Sequence, residues 1–137
     1  MREIDRTRLF WGVCIPVRTM IAVGGLALGH YYARGSSSGA ISFFAFGVYA
    51  AITAFGLALK ALKALGSSST AATREVERGA FGGEVWWGTM RWVHAVLWGA
   101  CALLVFLRCR WAAVALAVDV AVAVVAGGVH FATGKKL

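Results

Sequence analysis

The stretch WAAVALAVDVAVAVVAGGVHF, residues 111–131, decides the fold of this chain. It is long enough to cross the hydrocarbon core of a bilayer as a helix, which takes about 20 apolar residues. It does not alternate apolar with polar residues, as the strand of a membrane β-barrel does. It carries a single carboxylate, Asp119. The stretch therefore predicts a membrane-spanning helix with one acidic group inside it.

Three earlier runs have the same character and predict three more spans, at residues 9–32, 40–62 and 85–107. Backbone polar groups inside lipid must be hydrogen-bonded within each span, so we expect helices. The first run exceeds the apolar region of a signal peptide, and we expect it to be retained.

The composition agrees with a membrane protein. The chain has 137 residues, of which 60% are hydrophobic and only 15% charged, and its mean hydropathy is +0.73. Soluble domains carry roughly a quarter charged residues. The composition excludes a disordered chain and a disulfide-rich scaffold. We expect one integral membrane domain over residues 1–137.

The connections between spans predict how the helices are arranged. Residues 34–39 and 108–110 form short polar turns, whereas residues 64–84 form a long loop. Short connections make consecutive helices antiparallel neighbours. The predicted fold is thus an all-α four-helix transmembrane bundle with up-down-up-down topology.

The distribution of Lys and Arg predicts the orientation of the bundle, because cytoplasmic segments are enriched in these residues. The predicted side with both termini and the long loop has nine of them, and the opposite side has three. Both termini are therefore predicted to be cytoplasmic. Since the basic residues flank spans and form no patch with interleaved aromatics, we expect no nucleic-acid partner. The expected interface anchors are Trp11, Trp86, Trp87 and Trp111.

Four ionisable residues lie well inside predicted spans. They are Arg18, Arg91, His94 and Asp119. A charged side chain costs roughly 2.5–3.5 kcal/mol at the centre of a membrane helix by insertion scales, so such groups normally point inward and find partners. Counted at about 1.5 Å per residue, Arg18, His94 and Asp119 lie at nearly the same depth. The sequence predicts that they form a polar cluster near the midplane.

Two functions fit such a cluster. In the first, Asp119 neutralises Arg18 or Arg91 and His94 adds a hydrogen bond, so that the cluster specifies packing in a structural or assembly protein. In the second, the excess of arginine over aspartate serves a proton or small-anion pathway, with His94 changing charge near neutral pH. The first is the leading interpretation. Small-residue faces, such as Ala113, Ala117 and Ala121, then suggest a homo-oligomer or a membrane-complex partner.

Pro16 is the only proline. It lacks a backbone N–H and leaves the carbonyl of Gly12 without its helical partner. We therefore predict a kink just before Arg18. The kink would either serve packing or present a carbonyl to a proton, water or ion.

No motif indicates a cofactor, a metal or an enzyme. His30, His94 and His130 lie at different depths, which does not suit paired haem ligation. Cys14, Cys101 and Cys109 have no CxxC spacing and predict neither a zinc site nor a disulfide framework. No nucleophile–base pattern or phosphate-binding loop is present. We expect a protein without a cofactor and without enzymatic activity.

The most distinctive segment of the sequence is FGGEVWWGTMRWVH, residues 81–94. It resembles a pattern, FGGxxWWxxxRxxH, found in small four-span membrane proteins of large DNA viruses of algae and marine protists and of some of their hosts. In that pattern, as here, a first span with a central Arg precedes the motif and a span with a central Asp follows it. The chain departs from it at Trp92, where the pattern has proline. The resemblance implies the four-span topology and the grouping of Arg18, Arg91, His94 and Asp119, and it implies no activity.

Overall fold

The computed structural model describes residues 8–66 and 90–133. All regular secondary structure in these two ranges is helical, which confirms the all-α prediction. The four main helices are α1 (Ile15–Ala33), α2 (Ser37–Gly66), α3 (Arg91–Phe106) and α4 (Val114–Thr133).

A π-helical turn, Phe10–Cys14, leads directly into α1. The N–H of Ile15 donates to the carbonyl of Phe10, five residues back. Pro16 then lies in the first turn of α1. Because helical residues continue ahead of it, its missing N–H leaves the carbonyl of Gly12 without its α-helical partner. The π-helical turn thus lies directly ahead of the proline, and both features are known causes of helix kinks. The kink angle predicted at Pro16 stays a prediction.

The helices pack as a ring in which each contacts the next and α4 returns to α1. Close approaches between α2 and α3 show their relative direction. Gly47 lies against Val105, and Ala54, further along α2, lies near Gly99, which comes earlier on α3. The two helices are therefore antiparallel.

The same reversal holds between α1 and α4. Phe10, which precedes α1, packs on Phe131 near the end of α4, with ring centroids 5.6 Å apart. Gly29, near the end of α1, lies against the backbone carbonyl of Arg110, which precedes α4. With the short turns after α1 and α3, these contacts confirm an up-down-up-down bundle.

Small residues allow the helices to approach closely. A Cβ added at Gly25 would lie 2.8 Å from the Cβ of Ala113, so the two backbones leave no room for a larger side chain. Ala113 is 0% exposed. It therefore packs within one chain, whereas Ala117 and Ala121 face outward. Only the latter two are available for the contacts between chains that the sequence suggests.

The outer surface is apolar. Many of its most exposed side chains are large and hydrophobic, among them Met20, Ile41, Ile52, Phe55, Val96 and Val125. So many exposed large apolar side chains are unusual for a soluble monomer and fit contact with lipid. The chain has the helices of a small membrane protein.

Three helical segments are long and apolar enough to cross a membrane, namely Phe10–Ala33, Ser37–Lys63 and Val114–Thr133. They match the predicted spans 9–32, 40–62 and 111–131. Helix α3 has 16 residues and measures about 24 Å, less than the roughly 30 Å hydrocarbon core. The beginning of the predicted span 85–107 and most of the predicted loop 64–84 lie outside the described residues.

Candidate functional site

Three polar side chains from three helices meet inside the bundle. Arg18 comes from α1, His94 from α3 and Asp119 from α4. We call them the polar triad. The arginine and the aspartate are 101 residues apart in the sequence. The structure thus brings together three of the four ionisable residues that the sequence singles out.

Asp119 is the centre of the triad. Its Oδ2 accepts a hydrogen bond from Nη1 of Arg18 at 2.9 Å, and its Oδ1 lies 2.5 Å from Nδ1 of His94. The residue is only 1% exposed. Each carboxylate oxygen therefore has a partner from a different neighbouring helix, as a buried charge requires.

The geometry indicates where the imidazole proton lies. Nδ1 of His94 is 2.5 Å from Oδ1 of Asp119 and 3.2 Å from Nη1 of Arg18. An arginine only donates, and an ionised carboxylate only accepts. If Nδ1 carries the proton, it donates to Oδ1 of Asp119, and this hydrogen bond accounts for the shorter of the two distances. This assignment rests on the hydrogen-bond network, and it makes both neighbours of Asp119 donors.

Helical spacing on each helix explains why the triad points inward. Arg18 shares its face with Ala22 and Gly25, whose small size lets α1 lie close to its neighbours. His94 shares a buried face with Trp98 and Cys101, and Asp119 lies one turn from the buried Ala123. Residues three or four apart lie on one side of a helix.

Arg91 is buried but does not join the triad. It is the first residue of α3 and is 4% exposed. The hydrogen bonds of Asp119 come from Arg18 and His94. Of the two arginines that the sequence offers as partners for Asp119, the structure selects Arg18.

A small cavity adjoins the triad. It has a volume of about 10 Å³, the lower end of what one water molecule needs. Arg18 and His94 line one side, and its remaining lining is largely apolar. The other lining residues are Phe10, Cys14, Met90, Ala123 and Ala126. Sequence reasoning missed the cavity, although Phe10, Cys14 and Arg18 recur at a spacing of four.

The predicted tryptophan anchors lie at opposite ends of the bundle where the structure describes them. Trp11 precedes α1 and is 39% exposed, whereas Trp111 precedes α4 and is 58% exposed. The guanidinium of Arg110 lies over the ring of Trp111, 5.2 Å from its centroid. Trp86 and Trp87 lie outside the described residues.

Within residues 8–66 and 90–133, no group of three or more His, Cys, Asp or Glu side chains could hold a metal ion. Comparison with protein-family models, with curated proteins and with solved structures gave no match. The resemblance to the viral and algal four-span proteins therefore stays a prediction. The function of this chain is accordingly inferred from its own geometry.

Proposed function

We propose that this chain is a small multi-pass integral membrane protein whose polar triad fixes the packing of its helices, and that it serves as a structural or assembly component of a membrane. One observation carries the proposal. Asp119 is 1% exposed, and its two oxygens are bonded from α1 and from α3. A single carboxylate thereby links three of the four helices.

The energetics of lipid favour this role. Apolar side chains gain nothing from leaving water when they already lie in lipid, so helix association depends on close packing and on polar contacts. A charge without a partner is costly there. Any packing that separates Arg18 from Asp119 exposes both charges to lipid, and is thereby disfavoured. Buried polar groups specify one arrangement in this way in some systems.

The proposed topology has four spans with both termini on the cytoplasmic side. The three long apolar segments and the antiparallel ring support it. Helix α3 packs against α2 and α4, beside two of the long apolar segments, which supports its inclusion as a fourth span. We include self-association or a membrane-complex partner in the proposal, with the exposed Ala117 and Ala121 as the contact face.

Reconstitution in liposomes that contain a pH-reporting dye tests the structural role. The native chain and the His94→Ala variant are compared under an imposed pH gradient. A structural triad gives negligible and equal proton flux in both, while His94→Ala lowers the free energy of unfolding. A flux that the native chain carries and the variant loses contradicts the proposal.

A second candidate, a proton or small-anion pathway, has one specific observation in its favour. The cavity touches Arg18 and His94, and the side chain of Arg18 is 17% exposed. Water in the cavity would give the triad a route toward the Phe10 end of the bundle. The same liposomes with a chloride-sensitive dye separate the two ions. Flux of either ion that depends on His94 supports this candidate.

A further inference from the structure

Three arginines occupy the two turns at one end of the bundle. Arg34 follows α1, and Arg108 and Arg110 lie between α3 and α4. All three are exposed. The two turns belong to the same end because Gly29, in the last turns of α1, packs against the carbonyl of Arg110. We call this surface the arginine end.

The two turns of the arginine end contain no acidic residue. Neither residues 30–39 nor residues 107–113 contain an Asp or a Glu. The side chains of the three arginines make no hydrogen bond or ion pair with any residue in the described ranges 8–66 and 90–133. In the proposed topology these three exposed positive charges lie at the membrane surface, where they are available to an anionic partner.

Arg108 adds an independent observation. It has a φ of +60°, in the left-handed region where a side chain is strained. Its N–H donates to Val105, and the N–H of Cys109 donates to Leu104, both at 2.8 Å. This is the Schellman pattern that ends many helices, and glycine is its usual residue at that position. An arginine kept in a strained conformation points to a use for its side chain.

We propose that the arginine end binds the phosphate groups of anionic phospholipids. Guanidinium groups recognise phosphate through paired, charge-assisted hydrogen bonds. In phosphatidylcholine the choline cation lies beside the phosphate and repels a further positive charge, so three arginines favour headgroups with a net negative charge. The exposed Trp111, under the guanidinium of Arg110 at 5.2 Å, places the turn at headgroup level, where tryptophan concentrates. This inference rests on the proposed membrane location and is independent of the role of the polar triad.

Lipid association measured by electron spin resonance tests the proposal. The protein is reconstituted in phosphatidylcholine with a trace of spin-labelled phosphatidylglycerol or spin-labelled phosphatidylcholine. We expect the native chain to prefer the anionic label by up to about fivefold, the effect of one exposed ion pair at the upper end of its usual range. The preference falls as salt is raised. Equal association of the two labels overturns the proposal.

Matched variants locate the preference. Basic residues at the other end also attract the anionic label, so the test compares two variants that remove equal charge. The triple variant Arg34→Gln, Arg108→Gln and Arg110→Gln is expected to lose more of the preference than the control, Arg8→Gln with Lys60→Gln and Lys63→Gln, which removes three charges from the other end. If the control loses as much, the effect is one of net charge and the proposal is wrong.

Two further arms complete the test. Arg108→Gly relieves the backbone strain at this position, so the variant is expected to fold. Because it lacks one guanidinium group, it is expected to bind the anionic label more weakly than the native chain. An unchanged preference in that variant removes Arg108 from the site.

Inorganic phosphate at the salt concentration of the assay is expected to displace no more label than chloride of equal ionic strength. Selective displacement would make the site one for free phosphate. Failure of the membrane location itself shows separately, as an absence of immobilised lipid of either kind.

Discussion

Nη1 of Arg18 donates to Oδ2 of Asp119 across 2.9 Å, joining α1 to α4 between residues 101 positions apart in the sequence. The pair is nearly closed to the surroundings, since the side chain of Asp119 is 1% exposed and that of Arg18 17%. The pair closes the ring of helices, because α1 and α4 are its first and last members. Loss of this pair should therefore lower the free energy of unfolding of the whole bundle.

Asp119→Asn is expected to destabilise the bundle strongly. The amide keeps the shape of the carboxylate but leaves the charge of Arg18 without a counterion. Breaking a buried ion pair in this way costs about 3–5 kcal/mol. Equilibrium unfolding in mixed micelles of sodium dodecyl sulfate and a mild detergent measures the loss.

The double variant Arg18→Met with Asp119→Asn is the control for this prediction. With both charges gone, we expect it to recover at least half of the stability that Asp119→Asn loses. Coupling of this kind is the signature of two residues in direct contact. Additive losses in the two single variants and the double variant would show that the pair does not hold the bundle together.

Gly29→Ala is expected to separate α1 from the turn before α4. The added Cβ would overlap the backbone carbonyl oxygen of Arg110, which cannot swing aside as a side chain can. Overpacking of this kind typically costs about 1–3 kcal/mol. Gly24→Ala is the matched control, since an added Cβ there meets no atom within 4 Å. Thermal melting in detergent should lower the midpoint for Gly29→Ala alone, and equal midpoints would contradict the packing.

Cys109 gives a test of the topology without an engineered label. It lies partly exposed in the turn between α3 and α4, whereas Cys101 is buried in α3. Cys14 is also partly exposed, but it lies within the apolar segment Phe10–Ala33, where lipid is expected to shield it from a polar maleimide. We expect a membrane-impermeant maleimide to modify Cys109 in intact vesicles, and Cys109→Ser to abolish the labelling. One span, α4, separates Cys109 from the C-terminus. A protease should therefore cleave a C-terminal tag only from the side of the membrane opposite to Cys109. If Cys109 and the tag were both accessible from the same side, α4 would not be a span.

The bundle and the meeting of the triad follow from two simple features of the sequence. Four long apolar runs predict helices, because in lipid each run must satisfy its own backbone hydrogen bonds. Charges inside such runs are so costly that residues like Arg18 and Asp119 are driven toward each other. Both features are local enough to read without a structure, because they depend only on the composition and position of each run.

Other features depend on packing that the sequence does not encode locally. The choice of Arg18 over Arg91 as the partner of Asp119 depends on the rotation of α1 against α4. The inward position of Ala113 depends on how closely the turn before α4 approaches α1 at Gly25. The cavity forms where the ring of Phe10 and the side chain of Met90 leave a gap beside the triad. Such details arise from side-chain shapes on three helices at once.

The π-helical turn before Pro16 supplies the last prediction, that Pro16→Ala rotates the beginning of the first helix. Alanine restores the N–H that can donate to Gly12, so the turn Phe10–Cys14 is expected to become α-helical. A register change of one residue turns the preceding segment by about 100°. Trp11, whose ring centroid lies 6.4 Å from that of Phe131, should then leave its neighbour and change its environment.

The fluorescence of Trp11 reports this rotation when each protein is measured against its own Trp11→Phe counterpart, which isolates one tryptophan among six. Pro16→Ala is expected to shift the emission of Trp11 and its quenching by acrylamide. Val17→Ala, at an exposed neighbouring position, should leave both unchanged. An unaltered Trp11 signal in Pro16→Ala would mean that the packing of Phe10 and Trp11 on α4, rather than the missing N–H, sets the π-helical turn.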